Sequence, residues 1–319
     1  MRLFIIGGAG YIGSHMVKVA YRAGHEVITL DNLSTGHQDA VLYGDFEFCD
    51  ILDSDRLNKL FAQYRPDAVM HFSAYSLVGE SVSDPYKYYH NNVIGTLNLL
   101  KSMIDNNCHK FIFSSSAAIF GNPEYCPIDE GHPKCPINPY GKSKLMVEEI
   151  LKDFSTAYGM RYVSFRYFNA AGHDPEGELS ERHDPETHLL PIIMQAVNGQ
   201  RESVSIFGTD YDTLDGTCVR DYIHVNDLAD AHLKGLEYLN DPNSVSAEFN
   251  LGNGNGFSVR EVIQQVKDVT GKDFEVLECE RRTGDPATLV ACDKKAKQEL
   301  NIKPQFSTLK EIIQTLNRS

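Results

Sequence analysis

Short apolar runs alternate with longer amphipathic stretches through the first half of the chain. Leu3–Ile6, Glu26–Leu30, Phe46–Cys49, Ala68–His71, Lys110–Ser114 and Tyr162–Arg166 have the length and β-branched or aromatic content of buried strands. Between them, Tyr11–Ala23, Ser54–Gln63, Tyr86–Asn106 and Tyr140–Ala157 carry helical spacing. Strand and helix in strict turn, joined by short connections, predict an α/β fold with a doubly wound parallel sheet. After Phe168 the pattern changes. Residues 172–188 lack periodicity and read as a loop. Leu189–Asn198 and Asn226–Leu239 read as helices, and Val204–Phe207 and Glu248–Leu251 as strands. Ser258 with Glu261 three positions on has the form of a capping box for a helix over Val259–Thr270. Ser307–Asn317 reads as a short amphipathic helix capped by Ser307.

The chain has 319 residues, enough for a large core without disulfide or metal staples. Thirty basic against 44 acidic residues leave a net charge of −14, which argues against nucleic-acid or anionic-membrane partners. The opening apolar run stops at Gly7-Gly8, too short for a signal peptide. No run approaches the roughly 18–20 apolar residues of a membrane span. Seven scattered cysteines form no CxxC pair. A soluble cytoplasmic protein with reduced thiols is expected.

The run Gly7-Gly8-Ala9-Gly10-Tyr11-Ile12-Gly13 lies between the first strand and the first helix. Glycines there permit a tight turn and close approach of backbone N–H groups to a pyrophosphate, with the helix N-terminus behind them. Asp31 ends the second strand, where a carboxylate accepts hydrogen bonds from a ribose diol and repels a 2′-phosphate. No Arg or Lys lies among residues 32–40, so NAD rather than NADP is the expected cofactor. A Rossmann-type domain over 1–168 is therefore expected, with a return of the chain to it near 219–250 left open. A smaller substrate-binding domain is expected over 169–319.

Tyr140 and Lys144 are four residues apart at the start of a predicted helix and share one face. A free phenol, with a pKa of about 10, is a poor base at neutral pH. A lysine ammonium about 5 Å away favours the phenolate by roughly 3 kcal/mol at an effective dielectric of ~20, so a tuned acid/base is expected at Tyr140. Ser114-Ser115-Ser116 ends the fifth strand at the sheet's carboxyl edge, where ligands of open parallel sheets bind.

Together these motifs resemble the UDP-glucose (UDP-galactose) 4-epimerases of the extended short-chain dehydrogenase/reductase superfamily. The matching segments are the glycine run through His15, Asp31-Asn32-Leu33, Val78–Val82, Asn91–Val93, Phe111–Ala117, Asn138–Lys144, Arg166–Asn169, Ile206–Tyr211, Asp215–Val225 and Arg281–Asp285, spread over essentially the whole chain. The resemblance implies a cofactor pocket of Gly7, Gly10, Tyr11, Ile12, Gly13, Asp31, Asn32, Asp50, Ile51, Phe72, Ser73, Asn92, Ser114, Lys144 and Phe168. It implies Tyr140 as acid/base, Ser116 as its hydroxyl partner and Lys144 as the electrostatic tuner. It places Asn169, His188, Leu189, Phe207, Arg220, Arg282 and Asp285 around the UDP-sugar, with Ser116 and Tyr140 at its sugar end. The two arginines suit a pyrophosphate because guanidinium is a planar, permanent cation.

The implied activity is reversible interconversion of UDP-galactose and UDP-glucose at C4 by a homodimer pairing the helices around 86–106 and 140–157. Ser76, Ile6 and Phe120 replace residues more frequent in that family, and His188 sits where one branch has Asn. Leu289 occupies the position whose bulk governs admission of N-acetylated sugars, which leaves UDP-N-acetylhexosamine and UDP-glucuronate open as alternatives. A 4,6-dehydratase needs an Asp-Glu pair where this chain has Ala117-Ala118. A non-catalytic NAD-binding module is disfavoured by the intact Tyr140, Lys144 and Ser116 set. His183–His188 has the residue types of a metal site, but Pro185 blocks a regular helix and the chemistry needs no metal. A solvated loop or substrate-side contacts are expected there.

Overall fold

The computed structural model describes residues 1–282 and 284–317; Thr283, within the Arg281–Asp285 segment, lies outside them, as do Arg318 and Ser319. The first half runs β1 (Arg2–Ile6), α1 (Tyr11–Arg22), β2 (Glu26–Asp31), β3 (Asp45–Phe48), α2 (Ser54–Tyr64) and β4 (Ala68–His71). It continues through α3 (Val78–Ser83), α4 (Pro85–Tyr88), a π-helical stretch (Tyr89–Gly95), α5 (Thr96–Asp105), β5 (Lys110–Ser116), α6 (Pro139–Tyr158) and β6 (Arg161–Tyr167). The second half comprises β7 (Asn169–Ala171), α7 (Leu189–Val197), β8 (Ser203–Phe207), β9 (Val219–His224), α8 (Val225–Asn240), β10 (Ala247–Leu251) and β11 (Gly256–Ser258). Then follow α9 (Val259–Thr270), β12 (Glu275–Cys279), β13 (Thr288–Leu289), α10 (Lys294–Leu300) and α11 (Leu309–Leu316).

Seven strands form one sheet in the order β10-β6-β5-β4-β1-β2-β3, every pair parallel. The chain order reverses between β1 and β4, which opens a crevice at their carboxyl ends. Period-two alternation sorts the side chains. Leu3 and Ile5 join a core with Met16, Val17 and Ala20 of α1 and Leu228 and Leu236 of α8. Phe4 and Ile6 face the opposite way, onto Leu57 and Phe61 of α2, Leu99 and Met103 of α5 and Val147 of α6. Two covered faces explain why β1 is continuously apolar after Arg2.

A second set of strands builds around β9, which pairs with β11, β13 and β7, while β8 pairs with β12. Their core includes Ile193 of α7, Val262 of α9 and Ile312 of α11. Between these strands and the tail the chain sends α8 and β10 back to the large sheet, where β10 pairs with β6.

The long elements fall where the pattern put them. The capping box forms at Ser258 and Glu261. The tail helix is capped by Thr308, not Ser307, because Thr308 is the residue whose side chain accepts from the Glu311 N–H and whose own N–H meets the Glu311 carboxylate. The helix expected over Tyr86–Asn106 is a continuous but irregular run that widens to π geometry at Tyr89–Gly95.

Candidate active site

The glycine run turns directly off β1. Gly7 has φ +79°, and a Cβ there would fall 2.5 Å from the backbone N of Ser73. A Cβ on Gly13 would fall 2.1 Å from the Gly7 carbonyl oxygen. At Gly10 such a Cβ would meet, among the described residues beyond its chain neighbours, just the Gly7 oxygen, at 3.4 Å, so this side of the loop is open. The first turn of α1 has neither an acidic residue nor a side-chain cap, which leaves its partial positive charge available to an anion. A loop bare of Cβ atoms on an open side, backed by an uncapped helix, fits a dinucleotide pyrophosphate.

Asp31 is buried at the end of β2 and accepts from the N–H groups of Ala9 (3.0 Å) and Leu33 (2.8 Å). Burial raises its pKa against those hydrogen bonds. Asn32 donates to Asp50 at 2.8 Å, tying the ends of β2 and β3 together. Ile51 is buried against Gly95. Arg182, from the distant loop, reaches this side, a contact that the run 32–40 could not reveal. Its guanidinium is held by Asp39 at 2.8 and 2.9 Å, so the site gains no free cation for a 2′-phosphate from it.

Tyr11 donates to the Gly172 carbonyl at 2.5 Å, and Ile12 packs against the core. Phe72 turns its ring toward His232 (4.9 Å between centroids), leaving its backbone against the glycine loop. Asn92 is buried at the crevice. Its amide spends both hydrogens and its oxygen on the Tyr75 carbonyl, Ser143 Oγ and the Tyr75 N–H, at 3.0, 3.1 and 3.0 Å. It thereby clamps the loop after β4 onto α6, beside Lys144.

α6 begins with Asn138 accepting from the Gly141 N–H and Pro139 in the first turn, a start that suits both residue types. This start orients Tyr140 and Lys144. The Lys144 ammonium donates to the Ser114 carbonyl at 2.7 Å and lies 4.9 Å from the Phe113 ring centroid and 5.9 Å from that of Tyr140. Burial pushes its pKa down to about 7. The Tyr140 phenol is raised by burial, against a hydrogen bond with Ser116 that lowers it. In the chain by itself desolvation outweighs the Ser116 hydrogen bond. Below this layer, Ser115 donates to Glu148 at 2.6 Å, and Arg166 grips Glu148 at 2.9 and 2.8 Å, all in the interior.

Across the crevice lies a cavity of about 290 Å³. It is lined by Asn169, His188, Leu189, Phe207, Arg220, Arg282 and Asp285, and also by Arg201, Ser205 and Tyr222, which the sequence reading missed. Arg282 stacks on Phe207, 3.9 Å from its ring centroid. Arg220 stands 3.6 Å from Asp285. It does not pair with Asp221, whose buried carboxylate takes the N–H groups of Asn253, Gly254 and Ala291. Tyr222 follows Arg220 by two in β9 and shares its face, a signal visible once the strand is recognised. Phe168 and Leu289 pack together with Ala117, Ile119 and Phe120, joining the catalytic edge to the cavity side. In the loop where solvent or substrate-side contacts were expected, the Glu181 and Glu186 side chains are only 2% and 6% exposed, against His183 and His188, which are 31% and 44% exposed, and His188 also lines the cavity.

A doubly wound sheet with this glycine loop and a Tyr140, Lys144 and Ser116 edge defines a nucleotide-cofactor enzyme of the short-chain dehydrogenase/reductase type. The chain belongs to the NAD dependent epimerase/dehydratase family, whose sequence model matches residues 3–252. It is 49% identical to the UDP-glucose 4-epimerase of Halalkalibacterium halodurans, over 98% of this chain and 94% of that one. The crystal structure of UDP-glucose 4-epimerase from Brucella ovis in complex with NAD superposes with a TM-score of 0.96 at 48% identity, covering 98% of this chain and 96% of that one. The UDP-Glc/GlcNAc 4-epimerase from Campylobacter jejuni superposes with a TM-score of 0.86 at 41% identity, over 98% and 97% of the two chains.

Proposed function

We infer that this protein interconverts UDP-galactose and UDP-glucose by reversible epimerisation at C4, with NAD held through the catalytic cycle. The observation that carries this reading is the placement of Tyr140, Ser116 and Lys144 at the crevice, alongside a separate arginine-lined cavity for the nucleotide. NAD, when bound, supplies a reversible hydride acceptor at C4. Gly7, Gly10 and Gly13 with the start of α1 would hold its pyrophosphate, and Asp31 would take its adenosine ribose. Tyr140 takes the proton of the 4-hydroxyl and later returns it to the oxygen. Ser116 hydrogen-bonds the same oxygen and keeps the phenol aimed. Lys144, fixed by the Ser114 carbonyl, favours the phenolate when charged.

Arg220, Arg282 and Arg201 hold the diphosphate, while Phe207 and Leu189 wall the nucleotide. Anchoring at the nucleotide end lets the 4-keto sugar turn over without leaving, so that its other face comes to the cofactor side of the crevice. Ala117 and Ala118 offer no acid for dehydration. Residues 1–168 with α8 and β10 form the NAD-binding part of this scheme, and the remainder after 169 holds the UDP-sugar.

We further propose a homodimer. Val82, Tyr86, Ile94 and Met146 expose 65%, 73%, 46% and 46% of their surface along α3, α4, the π-helical stretch and α6. An apolar patch of this kind on packed helices fits a partner of the same chain. Seven unpaired cysteines, two of them exposed, fit a reducing cytoplasm. Among the described residues no helix is long and apolar enough to cross a membrane.

The direct test follows UDP-galactose by proton NMR with the purified chain and no added NAD. UDP-glucose should accumulate to equilibrium. An unchanged spectrum with folded, cofactor-loaded protein refutes the assignment.

A further inference from the structure

The segment from Glu181 to His188 bridges the two ligand sites. At one end the Arg182 carbonyl lies 3.0 Å from His37 Nε2, and the His183 ring stands 6.2 Å from that of Tyr11. At the other end His188 and Leu189 line the nucleotide-sugar cavity. Within the segment four side chains converge. Glu181 Oε1 lies 3.0 Å from Nδ1 of both His183 and His188. Glu186 places Oε1 2.8 Å from His188 Nδ1 and Oε2 4.0 Å from His183 Nδ1. One ligand atom from each of the four residues lies within 4.8 Å of all the others.

These spacings have a physical reference. A tetrahedral shell with bonds of about 2.0–2.2 Å to nitrogen and oxygen has edges of roughly 3.3–3.6 Å. The observed separations straddle that value. Both carboxylates are removed from water, at 2% and 6% exposure, and their polar partners are the two imidazoles and, for Glu186, the N–H groups of Thr187 and His188. Among the described residues no lysine or arginine nitrogen reaches either one. The chain's other acidic cluster makes the contrast. Asp174, Glu176 and Glu178 already enclose the Lys18 ammonium, at 2.6, 3.2 and 2.6 Å.

We propose that Glu181, His183, Glu186 and His188 bind one divalent transition-metal ion of the zinc class. Two imidazole nitrogens favour such an ion over magnesium or calcium, which prefer all-oxygen shells. Four protein ligands close the shell, so the ion is structural and takes no part in the proton or hydride transfers. Its effect is to fasten the segment whose two ends touch the glycine-loop side and the cavity. The idea is independent of which UDP-hexose is turned over.

The test uses the full-length, cofactor-bearing protein, stripped with chelator and titrated with Zn²⁺ and Co²⁺. About one equivalent of Zn²⁺ should bind. The Co²⁺ form should show the intense visible bands of a tetrahedral nitrogen and oxygen shell, without thiolate charge-transfer absorption in the near ultraviolet. His183→Ala and Glu181→Gln should each weaken binding by at least about tenfold, since even outer partners of metal ligands cost that much. Absence of binding by the wild-type chain overturns the proposal. So do thiolate bands, which place the ion on cysteines, or weak octahedral Co²⁺ absorption alone. Equal affinity in a folded variant does the same. The wild-type spectrum decides the matter if neither variant folds.

Discussion

In the proposed reaction a single phenol carries the chemistry, and its surroundings set its proton affinity. Burial raises Tyr140, so the free chain holds it protonated at neutral pH; the Ser116 hydroxyl works in the opposite sense. Tyr140→Phe keeps the ring and loses the proton. Its kcat should fall roughly 100- to 10,000-fold, with UDP affinity by calorimetry unchanged.

Lys144 makes a second expectation. Its pKa falls from 10.5 to about 7 through burial. In the cofactor-free chain, between about pH 7 and 10.5, the unfolded state then binds a proton that the native state does not, and this residue's contribution to stability rises with pH. Urea unfolding of wild type and Lys144→Met across that window should show the difference shifting against the variant as pH climbs; a constant difference contradicts the assignment. The four-residue spacing of Tyr140 and Lys144 was legible in the sequence because a helix imposes it. The Ser114 carbonyl that captures the lysine was not, since it depends on how α6 lies across β5. The same holds for Asn92, whose partners come from two other segments.

The elements were readable where the core imposes periodicity on them and obscure where it does not. β1, β5 and β6 of the large sheet are covered, and α1, α2 and α6 are long, so their patterns are strong. β7, β11 and β13 span only three, three and two residues and leave no pattern to read. β9 escaped for another reason: Asp221, a buried acid in mid-strand, interrupts its apolar alternation while it satisfies three backbone N–H groups. The same kind of polar burial ties the catalytic layer together. Glu148 on α6 joins Ser115 of β5 to Arg166 of β6. Glu148→Ala leaves a buried guanidinium unpaired and should cost about 3–5 kcal/mol in denaturant unfolding. Because it also frees α6 from β5, kcat should drop more than KM rises. Unaltered stability contradicts the role given to this pair. At the sugar end Leu289 packs with Phe168, and a smaller residue there should raise the ratio of UDP-N-acetylglucosamine to UDP-galactose turnover.

In the whole molecule, one crevice faces two different demands. The proposed dinucleotide side is threaded by backbone hydrogen bonds, while the proposed nucleotide-sugar side is a cavity with arginines on its walls. That division was foreshadowed by the change of pattern after Phe168, although the return of α8 and β10 to the sheet could only be suspected from the sequence. The exposed patch on α3, α4 and α6 makes a further expectation: Tyr86→Glu with Met146→Lys should convert a dimer to a monomer in sedimentation, and a wild-type monomer contradicts the proposed pairing.

The most direct measurement of the central claim is a paired assay on cofactor-loaded wild type and Tyr140→Phe, each given UDP-galactose without added NAD. The wild type should form UDP-glucose, and the variant should bind the nucleotide equally well yet turn it over at least about 100-fold more slowly. Equal turnover by both would remove the phenol from the reaction and contradict the mechanism built on it.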